Sequence, residues 1–253
     1  NKAIEINPQL APAYYNRGVA KINLKDFQGA IEDCNKAIEI NPQDAAAYSN
    51  RGAAKRKSGD YQGAIADYTK AIEINPQYAN AYYNRGISKY NLKDYQGAIA
   101  DYNKAIEINP QLALAYNNRG EAKFKFGDAK GAIADFDKAI DLDSNMEESF
   151  NNRGNAEQVL NNYQKAIINY TKAIEINPQF AIAYYNRGEA KLKVGKTKEA
   201  IVDYTKSLDL KPRFADAYNN RGLAELRLGN NQRACYDFKK AIFLGSQNTE
   251  KWL

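Results

Sequence analysis

The side chains with the clearest capacity for binding chemistry are seven asparagines that recur every 34 residues, each in front of an Arg-Gly pair. They are Asn16, Asn50, Asn84, Asn118, Asn152, Asn186 and Asn220. A carboxamide offers one acceptor oxygen and two donor hydrogens, so it can bond both the C=O and the N–H of an extended peptide, whatever side chains that peptide carries. This asparagine row therefore predicts a surface that binds a peptide main chain.

Three of the asparagines directly follow a tyrosine, namely Tyr15, Tyr83 and Tyr185. Tyrosine supplies a large contact area and a hydroxyl at low entropic cost, as binding surfaces require. We therefore add these tyrosines to the predicted peptide-binding residues. The alternative stays open that the amides bond neighbouring helices or water and serve the fold instead.

Composition argues against chemistry of other kinds. The chain contains no histidine, which removes the commonest general base and the commonest transition-metal ligand. Its acidic residues repeat with the period, as scaffold residues do. Cys34 and Cys235 lie six repeats apart, so we expect two buried free thiols rather than a disulfide. The sequence predicts a protein that is not an enzyme and has no cofactor and no metal site.

The repeat sets the domain organisation. With the Asn-Arg-Gly tripeptide as register, seven units of 34 residues follow one another, which we number first to seventh. They are residues 11–44, 45–78, 79–112, 113–146, 147–180, 181–214 and 215–248. Residues 1–10 match the tail of a preceding repeat, and residues 249–253 place Trp252 where every unit has its first aromatic residue. We therefore expect an array cut at both ends, taken from a longer protein.

Each unit contains two helical patterns and none typical of a strand. In the second pattern of the second repeat, apolar residues recur at helical spacing, from Ala64 through Tyr68 to Ile72. The pattern ends at "NPQ", where proline prevents continuation. The sequence thus predicts an all-α protein built from antiparallel helix pairs.

The arginine of the tripeptide has an internal explanation. An aspartate follows it sixteen residues later in every unit except the fifth, which has Asn169. Arginine and carboxylate form bidentate pairs, so we expect the arginine to join the two helices of its unit. The glycine that follows predicts a close helix–helix approach, because glycine inside a helix costs roughly 1 kcal/mol relative to alanine.

These units resemble the tetratricopeptide repeat, most closely its bacterial variety. The residues that carry the resemblance in the first unit are Tyr14, Gly18, Ala30, Ala37 and Pro42. It implies a right-handed superhelical solenoid whose first helices line a concave groove, with the asparagines pointing into that groove. The units differ from the family in having arginine where it usually has leucine and, in five units, lysine where it usually has an aromatic residue.

The resemblance implies a protein–protein interaction scaffold whose partner is a protein or peptide. The chaperone-tail subtype of the family is excluded, because tyrosine, serine or asparagine replaces its first carboxylate-clamp lysine. RNA binding and an assembly scaffold that stacks end to end remain as alternatives.

Charge disfavours a nucleic acid partner. The chain carries 36 basic and 30 acidic residues, a net charge of +6. The groove positions hold five basic residues against four acidic ones. The basic residues are Arg56, Lys57, Lys125, Lys193 and Arg227, and the acidic ones are Glu121, Glu148, Glu189 and Asp216. A surface that tracks a phosphate backbone should be clearly basic. No apolar run approaches the roughly 18 residues of a membrane span, so we expect no membrane insertion and a cytoplasmic location.

Overall fold

The computed structural model describes residues 2–246, and every regular element in that range is an α-helix. The chain divides into two compact units, residues 1–127 and residues 128–253, which we call the first and the second half. The predicted helix start at residues 249–253, with Trp252, lies outside the described residues. Within each half, consecutive helices pack against one another. The predicted all-α repeat fold is therefore confirmed.

The helix bounds follow the repeat. The first half contains α1 (Lys2–Ile6), α2 (Ala11–Asn23), α3 (Phe27–Ile40), α4 (Ala45–Lys57), α5 (Tyr61–Ile74), α6 (Ala79–Asn91), α7 (Tyr95–Ile108) and α8 (Ala113–Lys125). The second half contains α9 (Ala129–Leu142), α10 (Glu147–Val159), α11 (Tyr163–Ile176), α12 (Ala181–Lys193), α13 (Thr197–Leu210), α14 (Ala215–Arg227) and α15 (Asn231–Phe243). We call the even-numbered helices first helices, and the odd-numbered helices from α3 onward second helices.

The turn from a first to a second helix uses one left-handed residue followed by a capping residue. The left-handed residue is Lys25 in the first repeat and Gly59 in the second, with φ of 63° and 93°. The next residue, Asp26 or Asp60, accepts a hydrogen bond from the backbone N–H three residues later, at 2.9 and 2.8 Å. An aspartate at this position satisfies one of the free N–H groups of the new helix, which fixes where each second helix begins.

The "NPQ" segment ends each second helix with a small side-chain turn. The Asn41 side chain accepts from the Gln43 backbone N–H at 3.2 Å, and Asn75 accepts from Gln77 at 3.0 Å. An asparagine that bonds the backbone two residues later mimics a turn and draws the chain out of helical geometry. The next first helix therefore starts after a connection of fixed length.

Helices of one repeat approach closely at the glycine. A Cβ atom placed on Gly86 would lie 2.7 Å from Cε1 of Tyr102, and one on Gly188 would lie 2.8 Å from the same atom of Tyr204. These tyrosine rings are almost completely buried. In the first repeat Cys34 takes the place of the ring and is fully buried. Cys235 is only half-buried, which corrects its predicted burial.

The exposure of Cys235 has a simple positional reason. It occupies the place that isoleucine takes in other repeats, such as Ile31 and Ile201, and these side chains are half-buried too. The position faces the rim of the core rather than its centre.

Each arginine of the tripeptide joins three helices. Arg51 donates from Nε and Nη2 to Asp67 at 3.0 and 2.6 Å, as predicted, and from Nη1 to Asn35 in the preceding repeat at 2.7 Å. The backward bond recurs from Arg85 to Thr69, Arg119 to Asn103, Arg153 to Asp137, Arg187 to Thr171 and Arg221 to Thr205. The guanidinium also lies 5.3 to 5.6 Å from the ring of the aromatic residue one turn earlier.

The unusual lysine of these repeats binds the same aspartate. Lys55 lies 2.8 Å from Asp67, and Lys191 lies 2.8 Å from Asp203. Two cations therefore face one buried carboxylate. For Asp33, burial alone would raise the pKa, but hydrogen bonds from Arg17 and Lys21 outweigh it and hold the pKa below its ordinary value. The arginine thus serves the fold and leaves the adjacent asparagine available for another role.

Candidate peptide-binding site

The ten predicted site residues all lie on first helices, and none of the seven asparagines is buried. Asn16 is exposed, and the other six members of the asparagine row are half-buried, as are Tyr15, Tyr83 and Tyr185. The aspartates that pair with the neighbouring arginines are buried, with at most 4% of their surface exposed. One step along the helix therefore separates a core contact from a group that a ligand can reach.

In the first half, one bond of the row joins the third and fourth repeats. Asn118 donates from Nδ2 to the hydroxyl of Tyr83 at 3.1 Å, and its Oδ1 accepts from Asn117 at 3.2 Å. The Tyr83 ring lies 6.0 Å from the ring of Tyr102, so it is anchored at its other edge. Beside this contact, Tyr90 donates to Glu121 at 2.6 Å.

The earlier asparagines of the first half make no such bond to the preceding repeat. Asn84 donates instead to the carbonyl of Asn80 on its own helix at 2.9 Å. The Nδ2 atom of Asn50 is buried and has no hydrogen-bond partner within the described residues. The reason lies in the preceding repeat, because Asn84 faces Ser49 where Asn118 faces a tyrosine.

In the second half, Asn186 is held by two asparagines of the fifth repeat. It donates from Nδ2 to Asn151 at 2.9 Å and to Asn155 at 3.1 Å. Asn155 also accepts from the Tyr170 hydroxyl at 2.9 Å. Asn152, at the row position of the fifth repeat, accepts from Asn151 at a long 3.5 Å.

The seventh repeat reproduces the tyrosine contact and adds an acid. Asn220 donates from Nδ2 to the Tyr185 hydroxyl at 3.0 Å and to Glu189 at 3.1 Å, while its Oδ1 accepts from Asn219 at 3.2 Å. The Tyr185 ring is fixed between Phe214, at 4.7 Å, and Tyr204, at 5.9 Å.

Burial controls the ionisation of this cluster. Burial raises the pKa of Glu189, while hydrogen bonds from Tyr185 and Asn220 and the charge of Lys193 act in the opposite direction without cancelling it. Burial and the charge of Glu189 raise the pKa of Tyr185 above its usual range. Tyr185 therefore stays a neutral hydroxyl that can donate as well as accept.

The row thus combines both roles that the sequence left open. The donors of Asn118, Asn186 and Asn220 bond the preceding repeat, so these amides stiffen the surface. Asn16 stands exposed, and Asn50 keeps an unpartnered donor. Position in the repeat alone did not separate the two groups, since the residue met in the preceding repeat decides which role an asparagine takes.

Sequence reasoning missed three residues of this surface as hydrogen-bonding partners. Asn151 and Asn155 hold Asn186, and Glu189 holds Asn220, although Glu189 was considered only for its charge. Their signal in the sequence is the spacing of 31 or 35 residues back from the asparagine. That spacing becomes meaningful only when the packing of adjacent first helices is known.

Two cavities lie away from the row, at equivalent places in the fifth and seventh repeats. The larger has a volume of about 420 Å³ and is lined by residues that include Arg221, Glu225 and Asp237. The other, about 330 Å³, is lined by residues that include Arg153 and Glu157. In both repeats glutamate replaces the lysine that elsewhere binds the aspartate.

The two buried glutamates have partners of their own. Glu225 accepts from Asn230 at 2.6 Å and has Arg233 at 3.8 Å, while Glu157 accepts from Asn162 at 2.7 Å. The basic and acidic positions have been exchanged, so these cavities are accounted for by a reversed ion pair.

Tandem helix pairs of 34 residues, with first helices that present polar groups and no catalytic constellation predicted, define a helical-repeat protein of the interaction type. Models of the tetratricopeptide repeat match residues 11–44, 79–112, 181–214, 34–66 and 113–146, and a model of the TPR repeat matches residues 52–93 and 160–195. The chain belongs to the tetratricopeptide repeat family.

Solved structures agree with this assignment. The chain is 30% identical to MamA over 65% of its own length and 96% of that chain, with a TM-score of 0.60. It is 25% identical to YrrB, described as a TPR protein with an unusual peptide-binding site, over 73% of its own length and 95% of that chain, with a TM-score of 0.62. A tetratricopeptide repeat protein from Parabacteroides merdae shares the fold over 94% of both chains, at 24% identity and a TM-score of 0.72.

No curated protein matches the chain. None of the helices within residues 2–246 combines the length and the apolar character that crossing a bilayer requires.

Proposed function

We propose that this protein is an interaction scaffold that binds an extended peptide segment of a partner protein on its first helices. The asparagines contact the peptide main chain, and Tyr15, Tyr83 and Tyr185 supply contact area beside them. Binding proceeds without chemical change to the peptide. The repeat family and the likeness to YrrB, described as having a peptide-binding site, support this function.

One observation carries the proposal: every asparagine of the row keeps access to solvent, while the arginine beside it is engaged in the core. A purely structural amide would be expected among the buried polar side chains, as the paired aspartates are. Amides that reach solvent at one position in successive repeats offer a peptide repeated main-chain contacts.

Two kinds of contact follow from the geometry. Amides whose donors bond the preceding repeat, such as Asn186, hold a fixed orientation and present their oxygen to a peptide N–H. Amides without that bond, such as Asn16 and Asn50, retain donors for a peptide carbonyl. Fixed groups reduce the entropy that binding must overcome, which favours affinity from modest contacts.

The test uses the asparagines that do not bond the preceding repeat. A library of random linear peptides displayed on phage is selected on the wild-type protein, and the enriched peptides are measured against Asn16→Ala, Asn50→Ala and Asn84→Ala combined. Loss of two or more main-chain contacts should weaken binding at least about tenfold, with the melting temperature nearly unchanged.

The matched control removes two exposed amides from second helices, Gln62→Ala with Gln96→Ala, and should leave binding unchanged. Failure of the wild-type protein to enrich any peptide, or equal binding by the asparagine variant, would overturn the proposal. Affinity that falls steeply with added salt, measured with RNA as competitor, would favour nucleic acid instead.

A further inference from the structure

Arg56 is a half-buried cation without a counter-charge on the first-helix surface of the first half. The same position holds Ile22 in the first repeat and Tyr90 in the third, so an apolar side chain suits the packing there. Within the described residues no carboxylate forms an ion pair with Arg56, and its Nε atom is buried without a hydrogen-bond partner. Arg51, on the same helix, has both from Asp67.

An unpaired charge away from bulk water is unfavourable, so proteins pair such groups with an opposite charge or a ligand. Nothing in the first half supplies the opposite charge. Glu121 is the single acidic residue among the predicted groove positions of that half, and it already accepts from the Tyr90 hydroxyl at 2.6 Å. The demand for an anion is therefore met from outside.

The surroundings of Arg56 locate its guanidinium at the junction of the second and third repeats. The Tyr68 hydroxyl is buried without a partner, and burial raises the pKa of Tyr68 to about 12 although the charge of Arg56 opposes the rise. Burial also raises the pKa of Tyr83, again against the charge of Arg56. The cation therefore lies near one tyrosine of each repeat.

Helix α4 also leaves room for a ligand beside this cation. It carries Ser49 and Ala53 where α6 carries Tyr83 and Ile87. Smaller side chains at both positions leave the first-helix surface of the second repeat less filled than that of the third. The unpartnered Nδ2 of Asn50 lies on the same helix.

Charge distinguishes the two halves. The predicted groove positions of the first half hold Arg56, Lys57 and Lys125 against Glu121, a net charge of +2. Those of the second half hold two basic and three acidic residues, a net charge of −1. A ligand group that needs a cation is therefore drawn to the first half.

We propose that helix α4 binds an aspartate or glutamate side chain within an extended peptide, its carboxylate accepting from the Arg56 guanidinium. A peptide carbonyl accepts from Asn50. Six residues of helix separate these two donors by about 9 Å along the axis, so one carboxylate cannot bond both and the second acceptor is another group of the same peptide. This inference rests on the proposed peptide-binding function and names the peptide chemistry that it prefers.

The variant Arg56→Leu tests it, because leucine occupies the position in the sixth and seventh repeats as Leu192 and Leu226. The probes are a peptide selected on the wild-type protein that contains glutamate and the same peptide with glutamine, both amidated at the C-terminus. Wild type should bind the glutamate form about tenfold more tightly, and Arg56→Leu should bind the two forms equally, with the glutamine form bound as by wild type.

Arg227→Leu is the matched control, since it removes the same charge from the second half and should preserve the preference for glutamate. Equal discrimination by Arg56→Leu and wild type would overturn the inference while leaving peptide binding intact, as would selection of peptides without acidic residues. If wild type binds no peptide at all, the proposed function and this inference fall together.

Discussion

The side chain of Asn220 donates to the hydroxyl of Tyr185, which belongs to the preceding repeat, at 3.0 Å. Asn118 makes the same bond to Tyr83 at 3.1 Å. In both cases the residue separation is 35, one more than the repeat length. A bond with this offset couples neighbouring first helices on the surface that we assign to peptide binding, so the stability of that surface and its recognition properties share the same atoms.

Removing the acceptor of this bond should cost stability. Tyr185→Phe keeps the ring packing and deletes the hydroxyl, so the free energy of unfolding should fall by about 1 kcal/mol, with Glu189 remaining as the second partner of Asn220. Urea unfolding followed by circular dichroism measures this change. Tyr15→Phe is the control, because no hydrogen bond of the Tyr15 hydroxyl is found within the described residues. Equal effects of the two changes would show that the bond contributes nothing.

The buried aspartates should matter far more than the exposed ion pairs. Asp67→Ala leaves Arg51 and Lys55 facing each other without their carboxylate, and we expect a loss of about 3 kcal/mol in the free energy of unfolding. Glu73→Ala breaks an exposed pair with Lys70 and should cost less than about 0.5 kcal/mol. Similar losses measured by urea unfolding would contradict the distinction between buried and exposed pairs.

Glycine substitutions should separate by the residue that faces them. Gly86→Ala brings its Cβ to 2.7 Å from the Tyr102 ring and should destabilise by roughly 1–3 kcal/mol. Gly18→Ala faces the smaller Cys34 at 3.2 Å, and its gain in helix propensity of about 1 kcal/mol should offset most of the crowding. Thermal unfolding of both variants gives the comparison, and an unchanged melting temperature for Gly86→Ala would refute the close packing.

The ionisation of Glu189 should make stability depend on pH. Because its pKa in the folded protein is raised, its favourable contribution is present below the unfolded pKa and is lost as the pH rises through the folded pKa. Glu189→Gln should therefore be more stable than wild type at neutral pH, and the difference should shrink toward about pH 4. Glu175→Gln, at an exposed ion pair, serves as control in the same urea series. A difference that grows on acidification would reverse the sign and exclude this account.

The two thiols should differ strongly in reactivity. Burial raises the pKa of the Cys34 thiol to about 12, so the thiolate that reacts with alkylating reagents is scarce at pH 8. Cys235 is half-buried and should be modified first by iodoacetamide, with Cys34 reacting only on unfolding. Mass spectrometry of peptides after timed alkylation distinguishes the sites. Early labelling of Cys34 in the folded protein would contradict its burial.

The sequence was sufficient wherever a feature depends on one repeat alone. Helical spacing predicted the helix pairs, and the sixteen-residue separation predicted the bond between Arg51 and Asp67, because both partners belong to the same helix pair. The aspartate caps such as Asp26 were also within reach, since the acidic residue precedes each second helix at a fixed distance.

Features that depend on two neighbouring repeats could not be read in this way. The bonds from Asn186 to Asn151 and from Asn220 to Glu189 arise from how adjacent first helices pack, and periodicity gives no measure of that packing. The backward bond from Arg51 to Asn35 escaped for the same reason. Cys235 was assigned to the core because its position is apolar, although such rim positions keep half of their surface exposed.

The backward bond of each arginine has a consequence for how such arrays change in length. Every repeat contributes one guanidinium that reaches its predecessor and receives one from its successor, so a block of 34 residues brings in as many donors as it uses. Duplication or loss of a whole block therefore leaves each junction chemically complete, whereas an insertion of any other length strands a guanidinium at the seam. A gene that grows by copying this unit keeps its joints intact at every step.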